Sequence, residues 1–219
     1  MTAAGLEPAG SATLDLDPAE LMSAHAEAVE AVRAAVQAWG PGDGGTATTC
    51  TEWTSHQLLL HLACTARRYH RILDDALSGE PQPTVLDVDL ADLNRREMAA
   101  SDLRGLPADR LVEVFADFAA SFADRALHAW GAGPFQRDGV DVGPAVALAA
   151  IEWHVHAWDL LRALGRDHYP RRPELLRRGW ALTVPHLGID QGGDPWTAVL
   201  LAAGRDAPHP AGRSSAERH

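Results

Sequence analysis

The sequence predicts an all-α fold, a four-helix bundle with an additional C-terminal helix and loops. Two observations carry that expectation. Apolar residues recur at helical spacing through four long segments, and proline, capping and glycine signals bracket those segments. Strand-like patterning is confined to short stretches in the connectors. At 219 residues the chain suits one substantial domain.

Each element can be justified in turn. Asp17-Pro18-Ala19-Glu20 supplies an N-cap, a proline at the first helical position and a glutamate at N3. Leu21, Val29, Val32, Val36 and Trp39 follow near helical spacing until Gly40-Pro41-Gly42. Thr54-Ser55-His56-Gln57 is a second capping box, with Trp53 and Leu58 placed as a hydrophobic staple. Leu59, Leu62, Ala66, Tyr69, Leu73 and Ala76 then form an apolar face that ends at Ser78-Gly79. Pro81 to Asp89 reads as a connector and Leu90 to Arg104 as a shorter helix. Pro107 opens a long helix with Leu111, Val114, Phe115, Phe118, Phe122 and Trp130 as its stripe. Asp138-Gly139 marks a tight turn, and Gly143-Pro144 starts the most apolar helix, closed by Gly165. A further helix is expected from Pro173 towards Leu187. The organisation expected is a flexible N-terminus over 1–16, the bundle over 17–204 and a disordered tail over 205–219.

Composition removes several function classes. The 19 basic residues against 30 acidic give a net charge of −11, which disfavours nucleic acid and anionic membranes as partners. All the basic residues are arginine, so Schiff-base and P-loop chemistry is excluded. Cys50 and Cys64 make neither a disulfide framework nor a CxxC knuckle. No run resembles a signal peptide or spans a bilayer, so a cytoplasmic protein is expected. Abundant Ala, Gly, Arg and Asp suit a GC-rich, actinobacterial source.

Of the 11 histidines, His25, His128, His168, His186, His209 and His219 read as solvated or helix-terminal. His56 and His70 have no evident partner. The stretch from Ile151 to Leu160 is different. Glu152 and His156 share one face of an apolar helix, and Asp159 extends the row. Burying a carboxylate and an imidazole there is costly unless a divalent cation compensates. His154 points ~200° away from Glu152 and makes a poor third ligand. His61, flanked by leucines, is the best third candidate from another helix. A His₂Glu set leaves an open coordination position, as catalytic zinc requires.

Cys50-Thr51-Glu52-Trp53-Thr54 leading into Leu58-Leu59-Leu60-His61-Leu62-Ala63 resembles the “GWTV-x-DLLAHLA” motif of the DinB-like mycothiol-dependent maleylpyruvate isomerase superfamily. Glu152 to Gly165 resembles that family's “E-x-x-x-H-x-WDLARATG” signature. The resemblance covers nearly the whole chain before the tail. It implies a DinB-like bundle with His61, Glu152 and His156 as metal ligands, zinc as the metal and mycothiol as thiol cofactor. Asp159 matches the family's recurring aspartate, where it either supports a ligand or pairs structurally with an arginine. Cys64, one turn beyond His61, reads as a packing residue.

The isomerase itself continues into a second C-terminal domain, for which this chain has no room. The segments from Gly79 to Gly105 and from Gly131 to Gly143 match nothing interpretable. The expected activity is a thiol transferase or isomerase acting on a small electrophile. A hydrolase activating water at the same site and a non-catalytic metal-containing binding protein are the alternatives. Assembly as a homodimer is left open.

Overall fold

A computed structural model describes residues 16–50, 53–78, 89–130 and 142–206. The described residues form seven helices: α1 (Pro18–Gln37), α2 (Ser55–Ser78), α3 (Leu90–Ala100), α4 (Ala108–His128), α5 (Val142–Ala163), α6 (Pro173–Thr183) and α7 (Pro195–Ala202). α1, α2, α4 and α5 make the bundle, with α1 against α5 and α2 against α4, while α6 lies on α5 and α7 on α6. Among the described residues there is no strand, and the extended pairing is one isolated bridge between Ala47 and Thr54.

The helix ends follow local chemistry. Asp17 accepts a hydrogen bond from the Ala19 N–H at 2.9 Å, with Pro18 at the first position. Thr54 and Gln57 complete a reciprocal capping box: the Thr54 N–H donates to Gln57 Oε1 at 2.9 Å, and the Gln57 N–H to Thr54 Oγ1 at 3.3 Å. α5 closes where the Arg166 N–H donates to the Leu161 carbonyl and Gly165 to Arg162, a Schellman ending.

The core is continuous across the bundle. Phe115, Phe122 and Trp153 are its largest fully buried side chains, and the Phe115 and Trp153 rings meet edge-to-face at 5.2 Å. α6 approaches α5 closely because Gly179 has no side chain. A Cβ there would stand 3.3 Å from the Ala147 Cβ and 3.4 Å from the Ile151 Cδ1.

Several boundaries and positions depart from the sequence expectations. α3 stops at Ala100 rather than Arg104, and α6 at Thr183, with a separate turn of 3₁₀ helix over Pro185–Leu187. α7 was not anticipated, although Asp194 caps it and Pro195 opens it as Asp17 and Pro18 do for α1. Leu16, assigned to the flexible N-terminus, is buried in the core. Arg205, assigned to the disordered tail, is anchored by two hydrogen bonds to Asp159. The turn expected at Asp138-Gly139 and the tail from 207 onward lie outside the described residues. Among the described residues no helix is long and apolar enough to cross a membrane.

Candidate metal centre

His61 comes from the middle of α2, and Glu152 and His156 from successive turns of α5, where the two helices face one another inside the bundle. One donor atom from each of the three lies within 4.8 Å of the others. His61 Nε2 stands 3.4 Å from Glu152 Oε1, and the His61 and His156 rings meet edge-on at 5.1 Å. Both histidines are buried, while the Glu152 side chain keeps 22% of its exposure.

Each of the three side chains is held at its far end. His156 Nδ1 donates to Asp159 Oδ2 at 2.9 Å, which leaves Nε2 as the ring nitrogen that can face the cluster. His61 Nδ1 lies 3.4 Å from Thr65 Oγ1. The Tyr69 hydroxyl donates to Glu152 Oε2 at 3.2 Å, leaving Oε1 for the cluster. Arg68 supports this shell from behind, contacting Thr65 Oγ1 at 3.4 Å while pairing with Glu97 and Asn94 of α3. The Trp53 ring covers His61 at 4.5 Å.

The electrostatics agree with a pre-set donor cluster. Burial pushes the His61 pKa down, and the opposing pull of Glu152 does not restore it, so the imidazole is neutral at pH 7. Burial pushes the Glu152 carboxyl up, but the field of its neighbours, Arg68 among them, outweighs it and holds the carboxyl below its usual range, so it is ionised at pH 7. Tyr69 is held well above the usual phenol range, by burial first and then by the Glu152 charge, so it stays a donor. Two imidazole nitrogens and one carboxylate oxygen form a donor set of the kind zinc takes. The residues present fit such a cation, because the three inward atoms are acceptors with their remaining polar atoms already satisfied.

Asp159 is fully buried. It accepts from His156 and also pairs with an arginine, Arg205. Thr49 Oγ1 bonds its other oxygen. Thr49 arrives there because the loop before α2 is pinned by the Ser55 N–H on the Thr46 carbonyl at 2.8 Å and by Thr48 Oγ1 on the Trp53 carbonyl at 2.9 Å. His154 turns away from the cluster. Its Nε2 lies 3.1 Å from the Ala24 carbonyl on α1 and its Nδ1 2.8 Å from His168 Nε2.

Two histidines read as solvated are structural. His25 is 2% exposed and accepts from Trp153 Nε1 at 3.0 Å, and His168 is the partner of His154. His70 does have partners, Ser121 at 3.0 Å and Asp74 at 3.3 Å, and His56 meets the Leu106 carbonyl. Cys64 packs beside Arg67, Arg68 and Ser101, outside the donor cluster. Sequence reasoning missed Thr65, Tyr69 and Arg205. Thr65 and Tyr69 were findable, since they follow His61 by one and two helical turns on the same face of α2. Nothing local marks Arg205.

Fold and site together define a helical bundle with a His₂Glu donor cluster between two of its helices. The family profile described as “Mycothiol maleylpyruvate isomerase N-terminal domain” matches residues 25–161, and the chain belongs to that family. Its structure is similar to the crystal structure of the mycothiol-dependent maleylpyruvate isomerase, with a TM-score of 0.60 and 20% identity over 76% of this chain and 69% of that one. A histidine-to-alanine mutant of that enzyme matches with a TM-score of 0.59, also at 20% identity over 76% of this chain and 69% of the mutant. At this identity the likeness establishes the fold. No curated protein matches the chain.

Proposed function

We propose that this chain is a mycothiol-dependent transferase or isomerase acting on a small electrophile, with zinc held by His61, Glu152 and His156. The observation that carries the reading is the convergence of two buried imidazoles and a half-buried carboxylate whose distal atoms are all occupied. Membership of a family named for a mycothiol enzyme supplies the thiol. The functional unit we assign runs from Asp17 through Arg205, one residue beyond the bundle expected from sequence.

A bound zinc ion would lower the pKa of a thiol in its open position and so provide thiolate at neutral pH. The chain's own residues do the rest of the preparation. Asp159 and Thr65 fix the rotation of the two imidazoles, and Tyr69 fixes the carboxylate. Trp53 shields His61 from water on one side. Such support is what keeps a three-ligand site from drifting when the fourth donor exchanges.

Water activation is disfavoured by the state of the carboxylates. Glu152 is committed to the cluster, and Asp159 is occupied by His156, Arg205 and Thr49, so neither is free to act as a general base. A purely structural metal is the other alternative, and turnover separates it from an enzyme. The experiment is metal analysis of protein prepared without chelator, then calorimetry with mycothiol and glutathione. About one zinc per chain and mycothiol binding that vanishes in apoprotein are expected. Metal-free protein, or thiol binding indifferent to metal, overturns the reading.

A further inference from the structure

We propose that Arg205 is a positioning residue for the metal centre, acting through Asp159 on His156. The inference rests on the metal reading above and extends the site beyond residue 161, where the family match ends.

Asp159 has no exposed surface, so every orientation of its carboxylate must be decided by protein partners. Arg205 decides it with a two-point fork: Nε donates to Oδ1 at 3.0 Å and Nη2 to Oδ2 at 2.7 Å. Two parallel bonds fix the plane of the carboxylate as well as its position. Oδ2 is thereby aimed at His156 Nδ1, 2.9 Å away. Thr49 alone holds Oδ1 at a single point and leaves rotation about that bond free.

The arginine is itself set by the end of α7. The Arg205 N–H donates to the Leu200 carbonyl at 2.9 Å and the Gly204 N–H to Leu201 at 3.0 Å, with Gly204 at a φ of +75°. That Schellman ending reverses the chain so that the next side chain turns back onto α5. The Arg205 side chain retains 14% of its exposure. Burying a guanidinium this far is favourable only with a matched acceptor, which Asp159 provides.

The test is zinc affinity of the full chain, measured by competition with a chromophoric chelator at pH 7.5. R205A should bind zinc about 10–100-fold more weakly than wild type. R205K should fall between them, because an ammonium contacts one oxygen at a time and cannot set the plane. V199A thins the packing of buried α7 and leaves the guanidinium in place; it should melt earlier yet bind zinc as wild type does. Cobalt-loaded R205A should also show shifted ligand-field bands, which loss of stability alone does not produce. R205A within twofold of wild type overturns the inference, as does V199A losing zinc equally. If R205A does not fold, R205K equal to wild type overturns it. The metal reading fails separately, and takes this inference with it, if wild type binds no more zinc than H61A.

Discussion

Two faces of α5 carry buried polar residues, and they are finished differently. On one face Trp153 and His154 are completed by protein. Trp153 Nε1 donates to His25, the His154 Nε2–H faces the Ala24 carbonyl, and His154 Nδ1 accepts from His168. On the other, Glu152 and His156 are held by protein at their outer atoms, while their inner atoms converge with His61 on a common point. Burial alone therefore does not mark a site. What marks one is a set of acceptors turned towards a common point with donors used up elsewhere.

The largest expected contrast is in metal binding. H61A, E152A and H156A should each abolish measurable zinc uptake, whereas H154A should retain it, as read by elemental analysis after desalting. Stability should run the other way. H154A opens a cavity and strands the His168 N–H, a loss of about 2–4 kcal/mol in chemical denaturation. The donor-cluster variants should cost the metal-free protein less, since the cluster keeps some exposure through Glu152. Equal zinc loss in H154A and H156A would erase the distinction between the faces.

Acid should separate them next. Burial lowers the His25 pKa to about 4, that of His154 to about 3 and that of His168 to about 4, from 6.5. The unfolded chain thus binds more protons than the fold between pH 6.5 and about 4. Stability is full above 6.5 and falls as pH drops through that window. Each histidine contributes roughly 2 kcal/mol of loss by pH 5, on ~1.4 kcal/mol per pH unit below 6.5. His61, also lowered, adds in the same direction in metal-free protein. Denaturation midpoints from pH 7.5 to 4.5 should show this slope, and H168A should flatten it by about one proton. A flat profile would mean these histidines are not buried neutral.

Much of this organisation was legible in the sequence because it is written in local signals. Asp17-Pro18, the Thr54/Gln57 box and Gly165 place helix ends within a residue or two. Glu152 and His156 are visible as a pair from their spacing alone. The misses have physical reasons. α7 is eight residues long and apolar over most of its surface, so no stripe marks it, and only Asp194-Pro195 announced it. His25 reads from its surroundings as solvated or helix-terminal, although it lies one turn from Leu21 and Val29 on the buried face of α1. His168 and Arg205 have partners 14 and 46 residues away, set by tertiary packing that no local pattern encodes.

The smallest expected effect tests the residue that belongs to both faces. The Tyr69 ring packs against Trp153 at 5.6 Å and Phe122 at 5.4 Å, while its hydroxyl donates to Glu152. Y69F keeps the ring and removes only the hydrogen bond. Stability should therefore change by less than about 1 kcal/mol, because the core contact survives and Glu152 is open enough for water to replace the lost donor. Zinc affinity should fall about 3–10-fold, the worth of one hydrogen bond to a charged group offset by that water. It should remain above the affinity of R205A, whose target Asp159 has no exposed surface and keeps only the single-point contact of Thr49 on Oδ1. Chelator competition on the two variants side by side reads the difference. Y69F losing zinc as severely as R205A would mean that access of water to Glu152 does not moderate the loss.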